Sequence, residues 1–203
     1  PVDVQAMHID MLSLSAHKFH GPKGVGALYC RKGIRLPSYI MGGAQEKGRR
    51  AGTENVAGIV GLGAAIQLAT EQLEENRAKM TALRDRLMTG IQARISEVKL
   101  NGHPTNRLPN NVNFSFKYIE GESILLMLDM NGIAASSGSA CTSGSLDPSH
   151  VLLALGLPHE IAHGSVRLTL GDETTEEDID YTIDVLEKTV ARLRAMSPLY
   201  KGE

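Results

Sequence analysis

Residues 13–26 read SLSAHKFHGPKGVG, and this stretch decides how the first part of the chain folds. It overlaps a short apolar run at residues 11–14, which predicts a buried strand leading into a functional loop. Just beyond that run stands Lys18, whose amine can form a Schiff base with an aldehyde. An isolated lysine is usually a solvated surface residue, but Ser15 and His17 add hydrogen-bond donors that can hold a phosphate. The stretch therefore favours covalent chemistry at Lys18 beside an anion.

The rest of the chain alternates between strand and helix patterns. Residues 25–30 predict a second strand, and residues 42–53, rich in glycine and charge, predict a long loop of the functional kind. Further strands are predicted at residues 98–100, 112–116 and 165–170. Helices are predicted at residues 56–68, along an apolar stripe from Met80 to Ile95, and at residues 122–130 and 150–155. A capping box of Thr174 and Glu177 predicts the start of a last helix, whose apolar stripe is Ile179, Ile183, Leu186, Val190 and Leu193. This order predicts an α/β fold with helices packed on a sheet.

The composition is that of an ordinary globular protein. The 203 residues suffice for one good-sized domain, or for one domain and a piece of another, with 42% hydrophobic and 22% charged residues. A net charge of −2 argues against a nucleic-acid or membrane-surface role, which needs a basic excess. We find no apolar run near the roughly 18 residues of a membrane span and no charged-then-apolar leader. Two cysteines are too few for a disulfide framework, which predicts a reducing, cytoplasmic setting.

Cys141 lies among small residues at 136–144, SSGSACTSG. A free cysteine is more often a small buried hydrophobe. Seven of these nine residues are Ser, Thr or Gly, which cannot anchor a core, so we expect an exposed, mobile loop. Such a loop suits a nucleophile that must reach both a substrate and an acceptor. Cys30, by contrast, lies in the apolar strand at residues 25–30 and is assigned to the core.

Arg167 lies within GSVRLTL, residues 164–170, which is otherwise an apolar strand pattern. A charged group in such a strand is costly unless it meets an anion. A guanidinium binds a carboxylate through two parallel hydrogen bonds, so an amino-acid substrate is a sensible partner. The alternative is an internal salt bridge, and the residues alone leave both open.

The loop RRAGTEN at residues 49–55 offers backbone amides and the Thr53 hydroxyl, which together can cradle a phosphate. A Gly-Thr pair on its own carries little information. The remaining histidines are assigned no chemistry, because they are interpreted as lacking metal-ligand spacing: His8, His20, His103, His150, His159 and His163.

Two of these motifs resemble those of one family. Ser-x-His-Lys-x-x-Gly-Pro-x-Gly-x-Gly at residues 15–26 resembles the cofactor-lysine motif of the aminotransferase class V family of fold-type I pyridoxal-phosphate enzymes. SSGSACTSG resembles the active-site loop of the NifS/IscS-type cysteine desulfurases, whereas the SufS-type group carries its cysteine in a shorter, different segment. The resemblance covers essentially the whole chain. It implies the end of the large PLP-dependent transferase domain at residues 1–68 and the smaller C-terminal α/β domain at residues 69–203.

The resemblance implies that pyridoxal 5'-phosphate (PLP) is the cofactor and that Lys18 carries it as a Schiff base. Ser15 and His17 are similar to the positions that contact its phosphate and ring. Thr53 is similar to a residue that contacts the cofactor phosphate of the neighbouring subunit, which implies a homodimer. Lys23 is within reach in sequence but is interpreted as structural.

For the substrate, the resemblance implies L-cysteine, with Arg167 binding its carboxylate. Cys141 then takes the sulfur as a persulfide and leaves alanine. The acceptor is an iron–sulfur scaffold or a tRNA-thiolation relay. No resident metal site is implied, although Cys141 is a candidate transient ligand of an iron–sulfur cluster.

Members of this family are about twice as long, and their upstream half supplies the acidic partner of the pyridine nitrogen and the histidine that stacks on the ring. We therefore expect residues 1–203 alone to be inactive or nearly so, with the N-terminal half lost or provided in cis or in trans. One alternative is a non-catalytic remnant that dimerises or docks a sulfur acceptor. Another is a selenocysteine lyase or other β-lyase, which the Cys141 loop disfavours.

Overall fold

The computed structural model describes residues 1–137 and 148–202. The chain divides into two compact units, Pro1–Glu74 and Glu75–Glu203, which we call the first and second units. The sequence predicts the domain boundary between residues 68 and 69, and both the predicted and the observed boundary lie within helical residues. Both units contain strands and helices, which confirms the predicted α/β class.

The first unit is built on a two-stranded antiparallel sheet. β1 (Met11–Ser15) pairs with β2 (Gly26–Cys30), and a 3₁₀ helix (Ala16–Phe19) follows β1 directly. The two backbones approach so closely that a Cβ at Gly26 would lie 2.6 Å from the Leu14 carbonyl oxygen. Residue 26 must therefore be glycine for this pairing, and the pairing fixes both ends of the loop that carries the lysine.

The strand predicted at residues 11–14 is confirmed, but its predicted burial is wrong. β1 is exposed or half-buried along its length, and Met11 is 47% exposed. Two strands cannot cover each other's faces, and β1 has one strand partner among the described residues. The core assignment of Cys30 is wrong for the same reason, since Cys30 is half-buried and lies outside the buried apolar clusters of the described residues.

The loop predicted at residues 42–53 contains one short turn, α1 (Gln45–Gly48), in which three of the four residues, Glu46, Lys47 and Gly48, have left-handed φ values. The helix predicted at residues 56–68 is confirmed as α2 (Val56–Glu71). It begins at Asn55, whose side-chain oxygen accepts a backbone N–H in the first turn at 3.1 Å. The predicted loop thus ends at a conventional helix cap.

The second unit has a three-stranded antiparallel sheet in the order β3-β4-β5. Its strands are β3 (Val98–Leu100), β4 (Asn111–Phe116) and β5 (Ser165–Thr169), which confirms the three predicted strands. Its helices are α3 (Leu73–Arg94, which begins two residues before the boundary), α4 (Gly121–Asp129), α5 (His150–Ala154), α6 (His159–His163) and α7 (Glu176–Met196).

The hydrophobic core of the second unit joins this sheet to α3, α4 and α7. The largest fully buried side chains include Phe114 and Phe116 of β4, Leu87 and Ile91 of α3, and Leu186 of α7. The apolar stripes predicted for α3 and α7 are therefore confirmed as the buried faces of these helices. This packing holds β5, and with it Arg167, on a rigid support.

The last helix begins one residue later than the sequence predicts. Its capping box joins Thr175 to Asp178 instead of Thr174 to Glu177: the Thr175 hydroxyl accepts the Asp178 N–H at 3.1 Å, and the Asp178 carboxylate accepts the Thr175 N–H at 3.0 Å. The hydrogen bond from the Thr175 backbone N–H lowers the pKa of the Asp178 carboxyl group. The Thr174 hydroxyl instead accepts the Gly171 N–H at 3.0 Å. Both registers place a threonine three residues before an acid, so the sequence does not separate them.

The sequence pattern does not predict α6, whose five residues include only two apolar side chains, Ile161 and Ala162, whereas the equally short α5 has a longer apolar run that ends at Gly156. Among the described residues no single helix has the length and apolar character needed to cross a membrane.

Candidate active-site residues

Lys18 and His17 lie exposed on the 3₁₀ helix that follows β1. The turn is anchored by Ala16, which is completely buried and whose N–H donates to the Val25 carbonyl at 3.0 Å. The Ala16 carbonyl in turn accepts the Gly21 N–H at 2.9 Å. The backbone is thus fixed around a buried alanine, while the lysine and histidine side chains remain accessible.

Close packing explains Gly21 and Pro22 of the Gly-Pro-Lys-Gly sequence after the lysine, whereas Gly24 has open space around it and a left-handed φ of 78°. A Cβ at Gly21 would lie 2.9 Å from the Ala16 Cβ, so residue 21 has no room for a side chain. On the other side, a Cβ at Gly61 of α2 would lie 2.5 Å from the Pro22 Cγ. The loop is therefore packed tightly between the Ala16 turn and α2, and this packing fixes the backbone that carries Lys18.

The chemistry of these side chains fits PLP. An amine on Lys18 suits its aldehyde, and the Ser15 hydroxyl and the His17 imidazole are hydrogen-bonding groups on the same short segment, within three residues of the amine. The segment at residues 13–26 contains no Asp or Glu, so it offers no carboxylate for a pyridine nitrogen. Lys18 in this segment can bind the aldehyde of PLP, and a carboxylate for its pyridine nitrogen must come from residues outside the segment.

Thr53 lies exposed in the loop between α1 and α2. Its neighbour Gly52 has a φ of 105° and donates its N–H to the Gln45 side chain at 3.2 Å. Ala51 is buried and donates its N–H to the Ile40 carbonyl at 3.1 Å. Within the described part of the chain no hydrogen bond joins Thr53 to Lys18, so its contact with a cofactor in a neighbouring subunit stays a prediction.

A cavity of about 990 Å³ in the first unit was not predicted from the sequence. Leu14, Arg31, Arg49 and Ile59 are among its lining residues, and Lys18 is not. Because these residues come from four separate segments, no local motif signals the cavity.

Arg167 lies at the centre of β5 and is half-buried. On one side it pairs with Asn113 of β4. On the other side its backbone forms a bridge with Ser136: the Arg167 N–H donates to the Ser136 carbonyl at 2.5 Å, and the Ser136 N–H donates to the Arg167 carbonyl at 3.1 Å. Arg167 is therefore held between β4 and the start of the predicted cysteine loop at Ser136.

The structure brings the start of that loop to the arginine strand. Besides the Ser136 bridge, the Ser165 hydroxyl donates to the Ser137 carbonyl at 3.5 Å. Cys141 follows four positions later and lies outside the described residues, as do residues 138–147 as a whole. The predicted exposure and mobility of the Cys141 loop therefore stay predictions.

The strand that carries Arg167 enters the sheet through a tight junction. A Cβ at Gly164 would lie 2.3 Å from the Phe116 carbonyl oxygen, and a Cβ at Gly121 would lie 2.5 Å from the Ser165 carbonyl oxygen. Glycine is required at both positions, because in each case the obstacle is backbone that cannot rotate away. This junction fixes where β5 begins, and so where Arg167 lies.

Residues 1–182 match the family Aminotransferase class-V, and the chain belongs to that family.

Its relatives include the cysteine desulfurase IscS of Clostridium botulinum, which is 63% identical over 202 residues, covering 98% of this chain and 51% of the relative. Among solved structures, a NifS-like protein superposes with a TM-score of 0.85 at 37% identity, covering 95% of this chain and 49% of that one. SspA in complex with cysteine superposes with a TM-score of 0.59 at 34% identity, covering 86% of this chain and 47% of that one. The chain thus spans about half the length of the curated relatives it matches.

Proposed function

We propose that this chain is the sulfur-handling and lysine-bearing part of a PLP-dependent cysteine desulfurase of the NifS/IscS type. The bridge between Ser136 and Arg167 carries this proposal, because it joins the segment leading to Cys141 to the strand that bears a carboxylate-binding arginine. Relatives named cysteine desulfurase that are 54–63% identical over almost the whole chain support it. A solved relative described in complex with cysteine supports L-cysteine as the substrate.

In this proposal the chain's own residues have separate tasks. Arg167 holds the substrate carboxylate through two parallel hydrogen bonds, which orients the amino acid. The Cys141 thiolate attacks the substrate sulfur, so that an S–S bond forms while the C–S bond breaks. The electron pair of the broken bond stays on carbon, which takes up a proton to give alanine, and Cys141 is left as a persulfide.

Lys18 is the residue that would hold PLP covalently, with Ser15 and His17 beside it and Thr53 contacting the phosphate from a partner subunit. When bound, PLP supplies an electron sink for the pair released at the substrate carbon. Lys18 itself, as an amine next to the reacting carbon, would move protons on and off the substrate. A homodimer belongs to the proposal because Thr53 is expected to act across subunits.

The persulfide on Cys141 would pass to an iron–sulfur scaffold or a tRNA-thiolation relay, in the cytoplasm. The alternative of a non-catalytic docking module is not favoured, because similarity to relatives named as enzymes extends over 98–100% of the chain.

The proposal also predicts what residues 1–203 do alone. We expect them to release alanine from L-cysteine slowly or not at all, because the segment at residues 13–26 offers no carboxylate to oppose charge on the pyridine ring. The measurement is alanine and sulfide release after addition of PLP and L-cysteine to the purified chain, with and without the half that completes a full-length relative. Robust release by the chain alone would contradict this expectation. Below, "active form" means the smallest assembly containing residues 1–203 that converts L-cysteine to alanine.

The role of Arg167 is tested by Arg167→Lys in the active form. Lysine keeps the charge but loses the paired hydrogen bonds, so we expect KM for L-cysteine to rise about 10- to 100-fold, the equivalent of one hydrogen bond to a charged group. The control is Arg192→Lys, an exposed arginine on α7, which should leave KM unchanged. A fall in kcat at unchanged KM would show that Arg167 does not bind the substrate carboxylate.

A further inference from the structure

α6 carries two histidines one helical turn apart, His159 and His163, in the sequence HEIAH. Their ring centroids are 6.0 Å apart and their planes make an angle of 82°. Residues four apart on a helix lie on the same face, and this spacing of two histidines is the one that helical zinc sites use. The interpretation that the histidines of this sequence lack metal-ligand spacing is therefore wrong for this pair.

The two histidines are accessible because the other side of α6 is the buried one. Ala162 is buried in a small apolar cluster with Leu152 and Leu157. His159 is exposed and His163 is half-buried. The short helix is thus anchored by its apolar side, and both imidazoles remain open to a solute.

The backbone beneath the pair is fixed as well. A Cβ at Gly121 would lie 3.1 Å from the His163 carbonyl oxygen, and the adjacent Gly164 approaches the Phe116 carbonyl even more closely. The backbone of His163 therefore cannot shift without disturbing β4 and α4. A metal ion at this position would find the backbone of one ligand already fixed, which lowers the entropy cost of binding.

The ring separation suits a shared metal ion. Zinc–nitrogen bonds of about 2.0–2.1 Å at a tetrahedral angle put two imidazole centroids roughly 5 Å apart. The observed separation is 6.0 Å, so metal binding requires the rings to move closer, and the exposed side chain of His159 is the one with room to move.

The two histidines determine which class of metal ion the site can bind. Among the described residues there is no group of three or more His, Cys, Asp or Glu that can hold a metal ion, so the described part of the chain offers the ion two protein ligands. Imidazole nitrogen suits zinc, copper and nickel better than magnesium or calcium.

We propose that His159 and His163 chelate a divalent first-row transition metal ion, and Zn²⁺ is the probe that tests the proposal. The site is independent of the cofactor lysine and of the proposed desulfurase activity, since it needs neither Lys18 nor Cys141.

The test is a calorimetric titration of Zn²⁺ into the 203-residue chain carrying Cys30→Ser and Cys141→Ser, which removes the competing thiolates. We expect one ion per chain and a rise in the Tm of the protein with Zn²⁺. His159→Ala and His163→Gln should each weaken binding at least about tenfold, since even changes around a ligand cost that much. The control His150→Ala removes a histidine from the neighbouring α5 and should leave the affinity unchanged.

Loss of binding in both variants with the control intact supports the chelate. Saturable binding that is unaltered by His159→Ala, or no saturable binding to the background chain, would overturn it. His159 is exposed, so His159→Ala folds normally and decides the question if the half-buried His163 proves sensitive to substitution. Circular dichroism of each variant verifies that the fold is retained.

Discussion

Lys18→Ala is expected to remove both cofactor attachment and turnover from the active form. The absorbance band of the lysine-bound cofactor, at about 400 nm, should disappear, because alanine offers no amine to bind the cofactor aldehyde. L-Cysteine turnover should fall by at least about 10²–10⁴-fold, the contribution expected of a positioned proton-transfer group. The measurements are the absorbance spectrum after reconstitution with PLP and the rate of alanine release.

The matched control for Lys18 is Lys23→Ala. Lys23 is an exposed lysine five positions along the same glycine- and proline-containing loop, so its loss removes the same charge from the same region. We expect Lys23→Ala to keep the absorbance band and most of the activity. A band that survives Lys18→Ala but is lost in Lys23→Ala would reassign the attachment site and contradict the proposed role of Lys18.

Cys141→Ser is expected to separate cofactor attachment from sulfur transfer. Serine has nearly the size of cysteine but cannot carry a persulfide, so L-cysteine turnover should fall to background while the absorbance band remains. Cys30→Ser is the control, because Cys30 is half-buried in β2 with its sulfur 3.8 Å from the Arg31 carbonyl oxygen. Its replacement should leave turnover largely unchanged.

The same pair of variants distinguishes desulfuration from other β-lyase chemistry. A β-lyase that eliminates sulfur without a protein thiol would keep its activity in Cys141→Ser. That result would contradict the sulfur-accepting role of Cys141 and leave the Lys18 result untouched. The two predictions therefore fail independently.

The sequence predicts the local elements well where a period or a motif sets them. Leu87 and Ile91 of α3 and Leu186 of α7 are buried as expected, because a stripe at helical spacing has one stable orientation against a sheet. The glycines around Lys18 also match their motif, since Gly21 has no room for a side chain.

What the sequence does not predict are features that depend on distant segments. The bridge between Ser136 and Arg167 joins residues 31 positions apart (167 − 136), and no local pattern indicates such a pairing. The exposure of Met11 follows from the number of strands beside β1, which a single strand pattern does not contain. α6 is missed for another reason: it contains only two apolar residues, Ile161 and Ala162, whereas the equally short α5 has a longer apolar run, although the spacing of His159 and His163 is visible in the sequence.

The central claim is that Cys141 takes sulfur from L-cysteine, and a mass spectrum of the active form tests it most directly. After brief exposure to L-cysteine without reductant, followed by alkylation and proteolysis, the peptide that contains Cys141 should gain one sulfur atom, about 32 Da. The peptide that contains Cys30 should not gain it, and Lys18→Ala should prevent the gain at Cys141. A Cys141 peptide that stays unmodified while alanine accumulates would contradict the proposed function.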